Sequence, residues 1–341
     1  MVADGFDELV SRLRAAGCVF AEDEAGLLTA AAVDAERLET LVARRVSGVP
    51  LEYVLGWVEF RGLRVAVSEG VFVPRQRTGY LVEQAVRLAR ARIAGTAQAT
   101  GAAVQVGHAA QAGHAAQAGQ TAQAGQTAQA GQTARDTGAA QVAETAWVPM
   151  PANPHGSQSL PGSRSGIVAV DMCCGSGALG LAFATELAAR GISVALTAAD
   201  IDPVAVACAR RNLAASGAGV FEGDLFAALP RELAGRVDVL LANTPYVPSE
   251  AIADMPPEAR DYEPPVALDG GADGLDIFRR VAAAAPEWLA PGGHLLVETG
   301  AAQAGTAVDF LTEHGLTPRV ATDEELGATV VIGSLAGSVG V

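Results

Sequence analysis

Residues 240–250 read LLANTPYVPSE, in which a hydrophobic strand ends in an asparagine, a proline and an aromatic ring. The side-chain oxygen of Asn243 accepts a hydrogen bond from an N–H group. Pro245 favours an extended Thr244, which turns the backbone carbonyl of Thr244 toward the same point. Two such acceptors would hold both hydrogens of an NH₂ group, and Tyr246 would cover a flat group with its ring. The pattern indicates a site for a carboxamide or a nucleobase amine, although an ordinary turn at a strand end has the same composition.

A second stretch, DMCCGSGALG at residues 171–180, is a GxGxxG motif between a predicted strand and a predicted helix. Gly175, Gly177 and Gly180 allow the backbone to approach a ligand closely beside a helix N-terminus. The motif alone suits dinucleotides as well as other adenosyl ligands.

Three acidic residues follow successive predicted strands, and they favour one ligand over the others. Asp171 precedes the glycine turn, where a carboxylate suits the ammonium and sulfonium groups of S-adenosylmethionine. Asp200 would accept hydrogen bonds from ribose hydroxyls, a role also found in NAD enzymes. Asp224 would meet an adenine amino group. Each acid by itself could merely cap a helix, but together they predict an S-adenosylmethionine site.

The elements that would position these residues alternate between strand and helix from Ile167 onward, which predicts an α/β fold with a mostly parallel sheet and helices on both faces. The predicted domains are a helical substrate-recognition domain (1–55), a β-hairpin and linker helix (56–94), an Ala/Gln/Gly-rich insert (95–165) and a catalytic domain (166–341). The insert carries six-residue repeats without large apolar side chains, so we expect it to be disordered. His108 and His114 follow the repeat and are not predicted to bind a metal.

The composition excludes several classes of protein. The formal net charge is −15, and all 23 basic residues are arginines, so stable nucleic-acid binding is not expected. Cys18, Cys173, Cys174 and Cys208 form neither a disulfide framework nor a CxxC zinc motif. The chain shows no secretory signal and no apolar run of the roughly 18 residues that a membrane span needs. We expect a cytoplasmic protein without metal or membrane contact.

On these residues the chain resembles the HemK-type family of protein N5-glutamine methyltransferases. The family's Asn-Pro-Pro-Tyr signature is similar to NTPY, and its Asp-x-Gly-Thr-Gly-Ser-Gly motif is similar to DMCCGSG. The resemblance extends to RVSGVPLEYVLGWVEFRGLRV, DYEPPVALDGGADGLDIFRR and GGHLLVETGAAQAG. It implies a class I S-adenosylmethionine-dependent methyltransferase, with a Rossmann-like seven-stranded sheet and a small N-terminal helical domain.

The resemblance also implies what the enzyme does and which residues do it. Members methylate the glutamine of the Gly-Gly-Gln loop of peptide chain release factors, which makes a release factor the expected partner. The residues implied to hold the cofactor, beside Asp171 and Asp224, are Cys173, Cys174, Gly175, Ser176, Gly177, Asp200, Leu225 and Asn243. Those implied to hold the substrate glutamine are Asn243, Thr244, Pro245 and Tyr246.

The chain departs from the family pattern at four places, one of which is the C-terminal TDEELGATVVIG, which lacks the family's usual arginine-bearing ending. Cys173 replaces the first glycine of the turn, a change that we expect to be tolerated if this residue has a negative φ. Thr244 replaces a proline, which should matter little because only its backbone oxygen is used. In VPRQRTG, the residues Gln76, Arg77 and Gly79 replace a proline and two acids near the expected mouth of the site. A different glutamine substrate is therefore an alternative.

Three other functions remain open at this point. A methyltransferase acting on an exocyclic amine of RNA or DNA shares the Asn-x-Pro-aromatic logic, but it should carry a basic groove. An NAD-dependent oxidoreductase would explain GSGALG but leaves Asp171 and NTPY without roles. The third is a protein that binds the cofactor without transferring a methyl group. Such a protein has no turnover, so replacing Asn243 by alanine would change no activity.

Overall fold

The computed structural model describes residues 3–108 and 166–337, with side chains placed for residues 5–95 and 166–337. The chain divides into two compact units, Met1–Ala91 with Met150–Val341, and Arg92–Pro149. In the second unit, the described part is the end of a helix that reaches His108. The rest of the predicted insert, including His114, lies outside the described residues.

The N-terminal segment folds into four helices, which are α1 (Ala3–Ala15), α2 (Ala21–Ala31), α3 (Ala35–Val46) and α4 (Leu51–Leu55). They enclose a hydrophobic cluster of their own that includes Leu13, Leu28 and Leu41, all almost completely buried. Helix α3 begins after Asp34, whose side chain accepts a hydrogen bond from the backbone nitrogen of Arg37 at 2.7 Å.

A short hairpin follows the helices and leads into the long helix. Strands β1 (Trp57–Phe60) and β2 (Leu63–Ala66) pair in antiparallel fashion. A 3₁₀ turn at Gln76–Thr78 then leads into helix α5 (Gly79–His108). Helix α5 therefore continues past residue 95, where the insert was predicted to begin.

The remaining strands form one seven-stranded sheet in the order β5-β4-β3-β6-β7-β9-β8. Its strands are β3 (Gly166–Met172), β4 (Ser193–Asp200), β5 (Gly219–Glu222), β6 (Val237–Ala242), β7 (Leu289–Glu298), β8 (Thr317–Asp323) and β9 (Ala328–Ser334). Strand β9 runs antiparallel to both of its neighbours, and the other pairs are parallel. The predicted mostly parallel seven-stranded α/β fold is confirmed.

The helices of the sheet domain connect these strands. They are α6 (Ala178–Ala188), α7 (Pro203–Leu213), α8 (Pro257–Tyr262), α9 (Pro265–Leu268), α10 (Asp276–Trp288) and α11 (Ala304–Glu313). Helices α8 and α9 lie in the connection between β6 and α10. Within residues 3–108 and 166–337, no helix combines the length and the apolar character that crossing a membrane requires.

A buried ion cluster joins the N-terminal helices to the sheet domain. Arg45 of α3, only 7% exposed, donates to both carboxylate oxygens of Glu24 at 2.6 and 3.1 Å. The third guanidinium nitrogen of Arg45 donates a hydrogen bond to Glu258 of α8 at 2.6 Å. The two carboxylates raise the pKa of Arg45, although burial opposes them. One guanidinium therefore ties the helical segment to the connection that follows β6.

Replacing Arg45 by methionine should destabilise the protein strongly, because Glu24 would remain buried as an unpaired carboxylate. Removing one partner of a buried ion pair typically costs about 3–5 kcal/mol. Arg44→Met is the matched control, since Arg44 pairs with Glu69 at the surface and such pairs contribute only about 0–1 kcal/mol. Urea denaturation of the two variants measures both losses. Equal losses would show that the buried cluster does not stabilise the fold.

Candidate active site

The carboxyl ends of β3, β4, β5 and β6 converge on one pocket. Most of the residues predicted from the sequence line it, namely Cys173, Cys174, Gly175, Ser176, Asp200, Asp224, Leu225, Asn243, Thr244, Pro245 and Tyr246. Asp171 and Gly177 are not among the lining residues. In an open parallel sheet, ligands bind at this edge. The structure therefore brings together the two stretches that the sequence singled out.

Asp171 supports the glycine turn from behind. One of its carboxylate oxygens accepts a hydrogen bond from the backbone nitrogen of Gly180 at 2.8 Å. A Cβ atom at Gly180 would lie 2.9 Å from that same oxygen, so this position requires a glycine. The third glycine of the GxGxxG motif thus allows helix α6 to pack closely against the end of β3.

The other oxygen of Asp171 has no hydrogen-bond partner among the described residues, although the side chain is only 1% exposed. Burial raises the pKa of Asp171 to about 7. A nearby cation would favour the ionised form of this carboxyl group, whose second oxygen is an unused acceptor. Its position behind the turn fits a ligand that brings a positive charge to this edge.

Asp200, at the end of β4, fixes the turn from the other side. One of its carboxylate oxygens accepts the backbone nitrogen of Gly175 at 2.8 Å, and the other accepts that of Asp202 at 3.0 Å. Burial raises the pKa of Asp200, and these backbone bonds oppose that shift. The carboxylate therefore orders the turn in addition to facing the pocket.

Cys173 does not meet the condition expected from the sequence. Its φ is +54°, in the left-handed region that disfavours residues with a side chain by about 1–2 kcal/mol. The backbone must reverse sharply between β3 and the turn, which explains why glycine is the residue of the resembled pattern here. The Cys173 side chain packs against the core, and burial raises the pKa of its thiol.

Asp224 and Leu225 follow β5 at another part of the pocket wall. The Asp224 carboxylate is bound by Arg280 of α10 at 2.6 Å, a contact that the sequence did not predict. Leu225 has a φ of +48°. Arg280 binds one of the two Asp224 oxygens, and the pairing offsets much of the negative charge of this part of the wall.

The NTPY stretch leaves the sheet beside the glycine turn, because β6 pairs with β3 and Met172 lies opposite Ala242. The side-chain oxygen of Asn243 is buried and has no hydrogen-bond partner in the described part of the chain. Leaving such an acceptor unmatched in a protein interior typically costs about 1–3 kcal/mol. The unmatched oxygen, at the wall of a pocket, is suited to a ligand N–H group.

Hydrogen bonds to the backbone hold the end of the NTPY stretch in place. The side-chain amide of Gln303 donates to the Tyr246 carbonyl at 2.8 Å and to the Asp273 carbonyl at 2.9 Å. Its oxygen accepts the backbone nitrogen of Gly300 at 2.8 Å. Val247 continues the arrangement by donating to Leu268 at 3.0 Å. The stretch is therefore anchored from behind by a single fully used carboxamide.

Two glycines of the GGADG segment pack so closely against NTPY that no side chain would fit at either position. A Cβ atom at Gly274, whose φ is +77°, would lie 2.2 Å from the Tyr246 carbonyl oxygen. A Cβ at Gly270 would lie 2.6 Å from the Pro245 carbonyl oxygen. This contact gives a physical reason for the glycines of the YEPPVALDGGADGLD motif, which sequence reasoning treated only as a family resemblance.

Several lining residues were missed by sequence reasoning. Phe72, Ile201 and Val266 contribute apolar walls, and Ile201 and Val266 remain 53% and 50% exposed. Arg75 and Arg280 also line the pocket. The sequence held one signal for these apolar walls, which is Ile201 directly after Asp200. A large hydrophobic side chain at the end of a strand has no core to enter. The apolar walls and buried carboxylates together fit an adenosyl ligand that carries a positive charge.

The described residues contain no group of three or more histidine, cysteine or acidic side chains that could hold a metal ion. The four cysteines are free thiols.

Comparison with known proteins assigns the site to a family. Residues 158–256 match the family model described as "Methyltransferase small domain". A release factor glutamine methyltransferase of Geobacter sulfurreducens is 31% identical over 300 residues, which cover 87% of this chain and 77% of that protein. A protein of the same name from Streptomyces coelicolor is 29% identical, over 80% of this chain and 70% of that protein. Another from Cereibacter sphaeroides is 42% identical, over 46% of this chain and 55% of that protein.

The match to the Geobacter protein covers most of both chains, and the Cereibacter match reaches higher identity over a shorter stretch. On this similarity, and with the pocket at the carboxyl edge of its sheet, the chain belongs to the release factor glutamine methyltransferase family.

Proposed function

We propose that this protein transfers a methyl group to the side-chain nitrogen of the glutamine in the Gly-Gly-Gln loop of a peptide chain release factor. The observation that carries the proposal is the buried, unmatched oxygen of Asn243 at the wall of the pocket. The names of the relatives supply the substrate. The nucleobase alternative loses support, since these relatives act on a protein and the chain carries a net charge of −15.

The methyl donor is S-adenosylmethionine, which supplies an electrophilic methyl group on a sulfonium whose leaving group is a neutral thioether. The turn from Cys173 to Gly177, with Asp171, Asp200, Asp224 and Leu225, would hold it. Asp171 would stabilise the positive charge of its amino-acid end, and Asp200 would accept ribose hydroxyls. Asn243 is the first residue of the NTPY stretch (residues 243–246, here called the acceptor loop), which lines the same pocket.

At the acceptor end, Asn243 and the Thr244 carbonyl would each accept one hydrogen of the substrate amide. Both hydrogens are then directed to one side, which aims the nitrogen at the methyl group. Tyr246 would cover the flat amide with its ring. Alignment of this kind supplies roughly 7–11 kcal/mol of a reaction barrier. The amide nitrogen would form the new N–C bond and release one proton to water, and S-adenosylmethionine, when bound, would supply the methyl group and keep the S–C electron pair on its neutral thioether.

The helical segment, residues 1–55, would help to bind the release factor. It is joined to the connection after β6 through Arg45 and Glu258, so its orientation is fixed relative to the acceptor loop. Recognition of a whole protein requires such a second surface, because a single glutamine side chain carries little information. Residues 56–94 would connect this surface to the catalytic domain.

The function is tested by incubating the protein with S-adenosylmethionine and a release factor and mapping added methyl groups by peptide mass spectrometry. We expect one methyl group on the Gly-Gly-Gln glutamine. Asn243→Ala should slow transfer by about 100-fold or more, since a small misplacement of the acceptor has this effect. A release factor with alanine in place of the glutamine is the control. Cofactor binding by the unaltered protein without methylation of the release factor would refute the proposal, and would leave a different glutamine substrate or a binding protein as the alternatives.

The raised pKa of Asp171 predicts how cofactor binding depends on pH. A bound cation favours the carboxylate, so binding should release a proton and tighten by up to about tenfold per pH unit as the pH rises toward 7. Asp171→Asn should bind S-adenosylmethionine weakly and with a flat profile. Asp309→Asn, at an exposed position on α11, should behave as the unaltered protein. Calorimetry measures the affinity of all three proteins for S-adenosylmethionine between pH 5 and pH 8. This range extends about one to two units to each side of the Asp171 pKa.

The same shift affects stability in the opposite direction. The Asp171 carboxyl group binds its proton more tightly in the folded protein than in the unfolded chain. The contribution of Asp171 to the free energy of unfolding therefore falls as the pH rises from about 4 to about 7. Urea denaturation of Asp171→Asn should therefore show a shallower loss over this range. An unchanged pH profile in that variant would contradict the assignment of the buried proton to Asp171.

A further inference from the structure

Arg77 closes a cycle of hydrogen bonds at the acceptor side of the pocket. Its Nε donates to one oxygen of Glu298 at 3.1 Å, and a terminal nitrogen donates to the Tyr246 hydroxyl. The Tyr246 hydroxyl in turn donates to the same Glu298 oxygen at 3.1 Å. The guanidinium carbon of Arg77 lies 6.0 Å from the centre of the Tyr246 ring. Arg77, Tyr246 and Glu298 thus contact one another pairwise.

Glu298 is the rigid member of this cycle. It ends strand β7, its side chain is 3% exposed, and its second oxygen has no hydrogen-bond partner among the residues described. A buried carboxylate beside a pocket requires a compensating charge. Within the structure as described, Arg77 is the basic side chain that pairs with it. The Arg77 side chain is itself 44% exposed, so its contact with Glu298 determines where the guanidinium lies.

The cycle fixes the ring end of Tyr246, as Gln303 fixes its backbone end. With the carbonyl held at 2.8 Å by Gln303 and the hydroxyl held by Arg77 and Glu298, the ring is restrained at both ends. Burial raises the pKa of Tyr246 to about 12, so the hydroxyl keeps its proton and can donate to Glu298. A restrained ring presents one face to the pocket at low entropic cost on binding.

We propose that Arg77 is a positioning residue, which holds the Tyr246 ring through its hydroxyl and through Glu298 in the orientation that receives the planar acceptor amide. The inference rests on the proposed function. It also changes the interpretation of position 77. The departure from the family pattern suggested a different substrate, whereas the contacts of Arg77 are with the enzyme's own acceptor residue and its neighbour.

An alternative role for Arg77 is direct contact with the substrate, and a double-mutant cycle separates the two. If Arg77 acts through the Tyr246 hydroxyl, its loss should matter little once that hydroxyl is absent. If it binds the substrate directly, the effects of the two substitutions should add.

The kinetic test uses Arg77→Met, Arg77→Lys, Tyr246→Phe and the double variant Arg77→Met/Tyr246→Phe. We expect Arg77→Met to lower kcat/KM for the release factor by about 10- to 100-fold, as loss of a charged hydrogen bond does, with cofactor affinity unchanged. Arg77→Lys should restore part of this loss because it keeps the charge. In the Tyr246→Phe background the Arg77→Met effect should shrink to less than about threefold. Arg87→Met, at an exposed pair with Glu83, is the control.

A second measurement does not require activity. The chain has four tyrosines, so a protein labelled with 3-fluorotyrosine gives a simple ¹⁹F NMR spectrum, in which the Tyr246→Phe variant identifies the Tyr246 signal. Arg77→Met should shift that signal, and Arg87→Met should not. An unmoved Tyr246 signal, additive kinetic losses, or a loss confined to cofactor affinity would each overturn the inference. An unaltered protein that leaves the release factor unmethylated counts instead against the proposed function.

Discussion

The parallel pairing of β3 with β6 is the constraint on which the rest of the site depends. In this register Met172 lies opposite Ala242, so the glycine turn and Asn243 leave the sheet side by side. A slip of one residue would send the Asn243 side chain to the other face of the sheet. The buried Asp238 of β6 opposes such a slip, because its carboxylate accepts the backbone nitrogen of Val168 in β3 at 2.9 Å. Register, rather than any single site residue, places the glycine turn beside Asn243.

The acceptor loop then needs support from behind, since a loop ordered only by its own residues would be mobile. Glycines at 270 and 274 allow backbone to pack directly on the carbonyls of Pro245 and Tyr246. Gln303 uses its whole hydrogen-bonding capacity to join this contact to the segment after β7. The precision of the loop comes from close backbone packing, which leaves no room for larger residues. A catalytic geometry built in this way is held before any ligand arrives.

Sequence reasoning predicted the strand ends well because hydrophobic runs and glycine turns are local signals. It predicted the mostly parallel sheet from the alternation of strands and helices, and it expected Asp200 and Asn243 at strand ends on one edge, where both line the pocket. It failed where the outcome depends on neighbours distant in the chain. The positive φ of Cys173 follows from the reversal of the backbone between β3 and α6, and the pairing of Asp224 with Arg280 joins residues that are far apart in sequence. The contacts of Arg77 likewise depend on tertiary packing, so its departure from the family pattern suggested a changed substrate.

The arginines around the pocket divide its carboxylates into two groups. Those paired with arginine are Glu298 with Arg77, Glu263 with Arg75, and Asp224 with Arg280. Asp171 and Asp200 instead receive backbone N–H groups in the contacts described, and so keep more of their negative potential. Negative potential is therefore concentrated beside the glycine turn, while the charges near Tyr246 cancel. A cationic methyl donor is favoured at the first end, and a neutral amide at the second. An ammonium acceptor would find Glu298 already paired, so the same charges that hold Tyr246 also disfavour a lysine in place of glutamine.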